Sequence, residues 1–286
     1  MMMVPFSKIE GLGNDFVVVD APDGALLPLA ARMRMCDRHL GVGADGVLTI
    51  LPPTSAGAIA RMHITNPDGS VPEMCGNGLR CVALHLLGRG ALAEQVSAVV
   101  DTDAGALAVV VTAKNADASA ADVRIDMGPA RFDVPVQFPA SFRRELLASL
   151  IPGEAALHSA RTSSVSMGNP HLVIEHAPSA ELAARIGPAL ENARVFPERT
   201  NVELAALRGD GTIDVVVWER GAGLTQACGT GACGVAAVFA RAGLVPYDVD
   251  VTVRLPGGPL AIRVPRDNNA SVLMTGPARR AFTGSF

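Results

Sequence analysis

Cys75 and Cys228 sit in near-duplicate surroundings, Glu73-Met-Cys-Gly-Asn-Gly78 and Gln226-Ala-Cys-Gly-Thr-Gly231, each followed by a small, apolar, helix-compatible run. Their offset of 153 (228 − 75) also carries Gly76 onto Gly229, Gly78 onto Gly231, Val82 onto Val235 and Gly90 onto Gly243. Without a gap it reaches Gly105 and Gly258, Leu107 and Leu260, Val111 and Val264. Upstream, Gly13-Asn-Asp-Phe-Val-Val-Val-Asp20 echoes Gly168-Asn-Pro-His-Leu-Val-Ile-Glu175 at an offset of 155. Small apolar matches are common by chance in an Ala/Val-rich chain, but anchored on both cysteines they define an internal repeat. The chain is two copies of one module.

At 286 residues two domains of ordinary size are expected. The periodicity places strands at Phe16–Asp20, Val47–Leu51, Ala60–Thr65, Val96–Val100, Leu107–Thr112 and Val123–Met127, and a helix from Leu29 to Leu40. A second helix, Leu79 to Gly88, begins just after the first Cys-Gly-Asn-Gly. Gly128-Pro129 marks the seam. The second half repeats the order: strands at Leu172–Glu175, Ile213–Trp218, Val249–Leu255, Leu260–Val264 and Ser271–Met274, with helices around Ala180–Leu190 and Ala232–Ala242. The expectation is an α+β fold of two pseudo-symmetric modules, each a mostly antiparallel curved sheet wrapped around a central apolar helix. They comprise residues 1–128 and 129–276, with the tail 277–286 packing on the first. Neither Cys-Gly-x-Gly fits a dinucleotide fingerprint.

Composition bears on the partners. A net charge of −4 with no basic block argues against nucleic acid and anionic membranes. The amino-terminal residues lack the pattern of a signal peptide, and no apolar run spans a bilayer. Five cysteines without a disulfide-framework spacing point to the cytoplasm and leave free thiols. Cys36, Cys81 and Cys233 lie in apolar helical patterns and read as core residues. The Cys75–Cys81 and Cys228–Cys233 steps are too wide for a zinc knuckle, and no metal is expected.

A cysteine just ahead of a helix has a chemical meaning. The first helical turn leaves N–H groups without intrahelical acceptors and carries about half a positive charge. Such a position is expected to favour a thiolate and lower the thiol pKa. The glycines let the same N–H groups approach a substrate carboxylate. Two such thiols on opposite faces of one α-carbon make a two-base racemase or epimerase: one removes the proton, the other returns it.

The chain resembles the diaminopimelate epimerases. The likeness runs from Phe6 to Gly276 through Gly11-Leu-Gly-Asn-Asp-Phe16, Asn66-Pro-Asp-Gly-Ser70, Met74-Cys-Gly-Asn-Gly-Leu-Arg80, Ser166-Met-Gly-Asn-Pro-His171 and Phe196-Pro-Glu-Arg-Thr-Asn201. It continues in Glu219-Arg-Gly-Ala-Gly223 and Gln226-Ala-Cys-Gly-Thr-Gly-Ala-Cys233. The resemblance implies a cofactor-independent, usually dimeric isomerase that interconverts LL- and meso-diaminopimelate in lysine and cell-wall precursor synthesis. It implies that Cys75 and Cys228 are the acid/base pair, with His171 and Glu219 beside them. The backbone of Gly76, Asn77, Gly229 and Thr230 would hold the reacting carboxylate. Asn14, Asn66, Asn169, Asn201 and Arg220 would read the remaining amino and carboxylate groups. Gly46 stands where the family often has glutamine, and Leu224 where it often has glutamate.

Each polar residue also has a structural reading. Asn before Pro shapes turns, and Glu219-Arg220 alone would be an exposed ion pair. Rival functions are a two-cysteine racemase of proline, hydroxyproline or histidine, and a duplicated binding protein that traps carboxylates at two helix starts. A pyridoxal-phosphate racemase would need a Schiff-base lysine, and the only lysines, Lys8 and Lys114, have no site-like setting. The two-base reading predicts that mild oxidants inactivate the protein by joining Cys75 to Cys228, reversibly with thiols. Full activity with both thiols still unmodified after oxidant would count against it.

Overall fold

The computed structural model describes residues 3–72, 75–132 and 140–286. Glu73 and Met74, which open the first cysteine motif, lie outside the described residues. The chain divides into two compact units, residues 1–126 with 275–286, and residues 127–274.

In the first unit the strands are β1 (Pro5–Gly11), β2 (Asn14–Asp20), β3 (Gly46–Leu51), β4 (Ala58–Thr65), β5 (Ser97–Thr102), β6 (Gly105–Lys114) and β7 (Ala120–Asp126). They neighbour one another in chain order. The final strand, β15 (Leu273–Ser285), follows β7, and its stretch in this unit pairs antiparallel with β1. The ring of eight is therefore closed, which leaves no sheet edge unpaired. Helix α1 (Leu29–Cys36) crosses from β2 to β3, and α2 (Gly76–Gly88) crosses from β4 to β5; both strand pairs are parallel. The rest are antiparallel hairpins. Helix α2 packs against β1, β2, β3, β4, β6 and β7. Its apolar residues Leu79, Cys81, Val82, Ala83, Leu84 and Leu86 are buried all round the helix, as an axle inside a sheet requires.

The second unit opens with α3 (Ala140–Leu150) and α4 (Ala155–His158), followed by β8 (Thr162–Ser166), β9 (Pro170–Glu175), α5 (Ala180–Glu191), β10 (Asn201–Leu207) and β11 (Ile213–Glu219). The short β12 (Gly223–Leu224), α6 (Gly229–Arg241), β13 (Asp250–Leu255) and β14 (Gly258–Arg263) complete it. The sheet order is β8-β9-β10-β11-β13-β14. Again the two strand pairs flanking a helix, β9–β10 and β11–β13, are parallel. Helix α6 packs against all six of these strands. Residues 127–131 stitch the ends: Met127 and Gly128 exchange backbone bonds with Val272, and Arg131 with Ser166.

Two local expectations are corrected. The first helix stops at Cys36 instead of Leu40, because Asp37 turns extended (φ −62°, ψ 120°) and its carboxylate accepts the N–H groups of His39 and Leu40. Such an Asx turn competes with helical hydrogen bonding. The two cysteine-led helices start at Gly76 and Gly229, immediately after the thiols, and so earlier than their apolar stripes suggest. Strands β1, β8 and β10 were not among those expected from the pattern.

Helix α5 seats on β10 and β11 through one close approach. A Cβ on Gly187 would lie 2.2 Å from Cγ of Trp218. Gly187→Ala is therefore expected to destabilise the protein by about 2 kcal/mol or more in urea unfolding, whereas Gly153→Ala, with open space around it, should be near neutral.

Candidate functional site

Each unit presents a cysteine as the N-cap of its central helix. Cys75 is extended (φ −143°, ψ 110°), and its Sγ accepts the N–H of Gly78 at 3.3 Å. Asn14, at the start of β2, turns its amide oxygen toward this helix start, 3.9 Å from Sγ of Cys75 and 3.2 Å from Nδ2 of Asn77. Its own Nδ2 donates to Asp45 at 2.9 Å. Asp45 is held in turn by Arg38, and Arg38 grips Asp15 as well, whose carboxyl lies near 2: burial pushes it up, and hydrogen bonds from Arg38 and Lys8 outweigh that. Under the first turn the fully buried Arg80 bonds Oδ1 of Asn77 (2.9 Å) and the carbonyl of Pro277 (3.1 Å), so the last strand braces Asn77. Asn66 is not part of this cluster. Its amide donates to Ser70 Oγ at 2.9 Å, within its own turn.

The second unit gathers more. Cys228 is extended (φ −122°, ψ 107°), 5% exposed, and 3.5 Å from Oγ1 of Thr230. Asn169 donates to the same hydroxyl at 3.4 Å and accepts from Nε2 of His171 at 2.9 Å. The His171 ring is wholly buried, with Nδ1 2.6 Å from Oε1 of Glu203. Glu219, at the end of β11, interacts with Thr225 and Cys228, and burial pushes its carboxyl up. Asn201 is occupied at both ends of its amide, donating to the carbonyl of Pro170 (2.9 Å) and accepting the N–H of Arg220 (2.8 Å). The Arg220 guanidinium in turn donates to the carbonyl of Glu198 at 2.7 Å. These two residues shape the loop around β12, and the amide of Asn201 is fully used there.

The thiol chemistry corrects the helix-start expectation for Cys228. Burial pushes this thiol well above its ordinary value, and the carboxylates of Glu219 and Glu203 push it further. The Thr230 hydroxyl and the Gly231 N–H act in the opposite direction and do not overcome them. Glu203 escaped the sequence reading, because a lone acidic residue within Val202-Glu-Leu204 reads as solvent-facing on a half-buried strand. The repeat held a signal for it: at the offset of 155 Glu203 falls on apolar Leu48.

Two matched modules with thiol-capped helices have close counterparts. Over the whole chain the fold matches a Bacillus anthracis phenazine biosynthesis protein of the PhzF family, with a TM-score of 0.73, 18% identity, and coverage of 100% of this chain and 99% of that one. The family model for diaminopimelate epimerase matches residues 6–133 and 163–281. A diaminopimelate epimerase of Desulforudis audaxviator is 43% identical over 98% of both chains. One from Erythrobacter litoralis is 40% identical over 100% of this chain and 98% of its own. The chain belongs to the diaminopimelate epimerase family, and as such is an isomerase.

Exposure separates the thiols. Burial raises Cys36 to about 11, and Cys81 and Cys228 are pushed up as well, whereas Cys75 is only half-buried. Brief alkylation of the ligand-free protein at pH 8 should modify Cys75 first, with Cys228 at least about tenfold slower; peptide mass mapping reads the order. Equal labelling of the two would contradict the environment described for Cys228.

Proposed function

We propose that the protein converts LL-2,6-diaminopimelate to meso-diaminopimelate without a cofactor, using Cys75 and Cys228 as the two acid/base groups. The observation that carries this reading is the twin occurrence of a cysteine N-cap on the central helix of each unit, in a chain of this family. Epimerisation of an α-carbon needs one base and one acid of comparable strength. A thiolate takes the α-proton, and a thiol on the opposite face returns one, so the two sulfurs exchange roles with each turnover. The developing carboxylate charge is met by the first-turn N–H groups of Gly76, Asn77, Gly229 and Thr230.

The cluster around Cys228 fits the same chemistry. Glu219, raised by burial and in reach of the sulfur, is suited to hold the substrate's reacting ammonium once the substrate's charge enters. His171 and Asn169 line the approach to Thr230, and Asn14 does so for Cys75. Asn201 contributes to the distal end of the substrate only if its present partners give way on binding, whereas Asn66 and Arg220 each keep side-chain polar groups beyond the single bond described. The reading also makes the protein a homodimeric, cytoplasmic enzyme of lysine and peptidoglycan precursor synthesis, with a small amino acid as its substrate.

The test is α-proton exchange in deuterated water on purified, reduced protein, with LL-diaminopimelate and with proline. Deuterated diaminopimelate with meso product, and unchanged proline, is the expected outcome. Cys75→Ala and Cys228→Ala should each lower epimerisation by about a thousandfold or more while leaving the protein folded. Exchange into proline instead would assign the chain to imino-acid racemisation. Binding of diaminopimelate that survives both substitutions, without exchange in the native protein, would make it a carboxylate trap.

A further inference from the structure

The duplication provides an internal control for the buried pair His171–Glu203. In the second unit His171 on β9 stands opposite Asn201 on β10, and Glu203 lies two residues on, with its side chain on the same face. In the first unit Phe16 on β2 stands opposite Gly46 on β3, two residues before Leu48. Both comparisons hold at the offset of 155, so His171 and Glu203 replace Phe16 and Leu48. The helix above shows the same substitution. A Cβ on Gly78 would meet Leu48 at 3.2 Å, and one on Gly231 would meet Oε1 of Glu203 at 3.0 Å. The scaffold therefore accommodates an apolar pair at this place, and an ion-paired one is not demanded by packing. A buried carboxylate and imidazole are costly to desolvate and need a reason.

That reason lies in the direction of the hydrogen bonds. In the first unit Asn14 turns its amide oxygen toward the helix start, and its Nδ2 goes to Asp45. In the second unit the equivalent Asn169 turns its oxygen to Nε2 of His171 and its Nδ2 to Thr230. The two modules thus bring opposite ends of the same amide to their thiols. The Thr230 hydroxyl, accepting from Asn169, has its own proton left to donate to Sγ of Cys228 at 3.5 Å. Glu203 closes the other end, where its Oε1 lies 2.6 Å from Nδ1, the short distance of a charge-assisted bond, placed to accept the Nδ1–H. Resting on the proposed two-base reaction, we infer that Glu203 is a positioning residue for Cys228, holding His171 protonated on both ring nitrogens so that a one-way chain of donors ends on the sulfur. The titratable groups that act on the ring are Glu203, 2.6 Å from Nδ1, and Glu219, which the ring influences electrostatically; Val165 of β8 is its cross-strand neighbour and Gly234 of α6 packs against it. The chain supplies a donor to a sulfur that burial and two carboxylates otherwise keep protonated.

The test is nitrogen NMR of ligand-free protein labelled in histidine at neutral pH, with His171→Gln used to assign the ring. Both nitrogens of His171 should carry protons in the native protein. Glu203→Gln should leave one bare and lower kcat about tenfold or more, with KM changed by less than about threefold. Glu203→Asp, which keeps the charge, should recover part of the loss. A bare Nδ1 or Nε2 in the native protein, a Glu203→Gln enzyme within twofold of native kcat, or a ring still doubly protonated in that variant would each overturn the inference. Should the variant fail to fold, the native spectrum decides alone. Because the spectrum is taken without substrate, it stands or falls separately from the activity on diaminopimelate.

Discussion

The N–H groups at the first turn of a helix have no acceptor within the helix itself, and both units of this protein are organised around that deficit. Burying a helix start would ordinarily be penalised. Here the position is given to a cysteine in extended conformation, followed by glycine, and the first-turn residues Gly76, Asn77, Gly229 and Gly231 are buried along with the helix body. The glycines are a steric necessity: Gly231 has Glu203 and the cysteine sulfur within 3.3 Å of any Cβ it could carry, and Gly229 has Met274 Sδ at 3.0 Å. The enclosing strands need the crossover helices, because a parallel neighbour cannot be reached by a tight turn.

Much of this was legible in the sequence, for a physical reason. A repeat anchored on two cysteines makes each half a control on the other, so strands too weak to read alone gained support from their counterparts. The central helices were legible because a helix apolar on all sides can only lie inside something. What periodicity did not disclose was strand direction: hydrophobic alternation is the same in parallel and antiparallel strands, and the β2–β3 and β9–β10 pairings depend on what happens between them. Strand β8 went unseen because Ser163 and Ser164 interrupt any apolar pattern, and β10 because its alternation, Asn-Val-Glu-Leu, lasts only four residues before two alanines; Glu203 and Asn201 are nevertheless buried.

The site was legible as an inventory and less so as an arrangement. Asn14, Asn169, His171, Glu219 and Thr230 do surround the thiols of their own units, but Asn66 and Asn201 are spent on turns and loops. Sequence identifies an amide; only its neighbours decide which end of it faces a reactive atom. The same holds for the thiol itself. A helix start favours a thiolate, yet at Cys228 the loss of solvent and the nearness of two carboxylates outweigh it. Two copies of one module have thereby become chemically unequal, with a polar buried pair in one where the other keeps phenylalanine and leucine.

Because the last strand pairs with the first, the second unit is an insertion within the first one's chain. All of its strands from β8 to β14 have been synthesised by Arg263, and the chain segment that ties off its sheet ends at Val272. The first unit, although its other strands come earlier in the chain, lacks its share of β15 until residues 275–286 have been made. The half made later can therefore finish first, while the earlier half waits with two open strand edges, β1 and β7, exposed to wrong partners. A nascent chain stalled before Thr275 would leave the first unit with those edges unpaired, and deletion of residues 275–286 would damage the first unit rather than the one next to it in sequence.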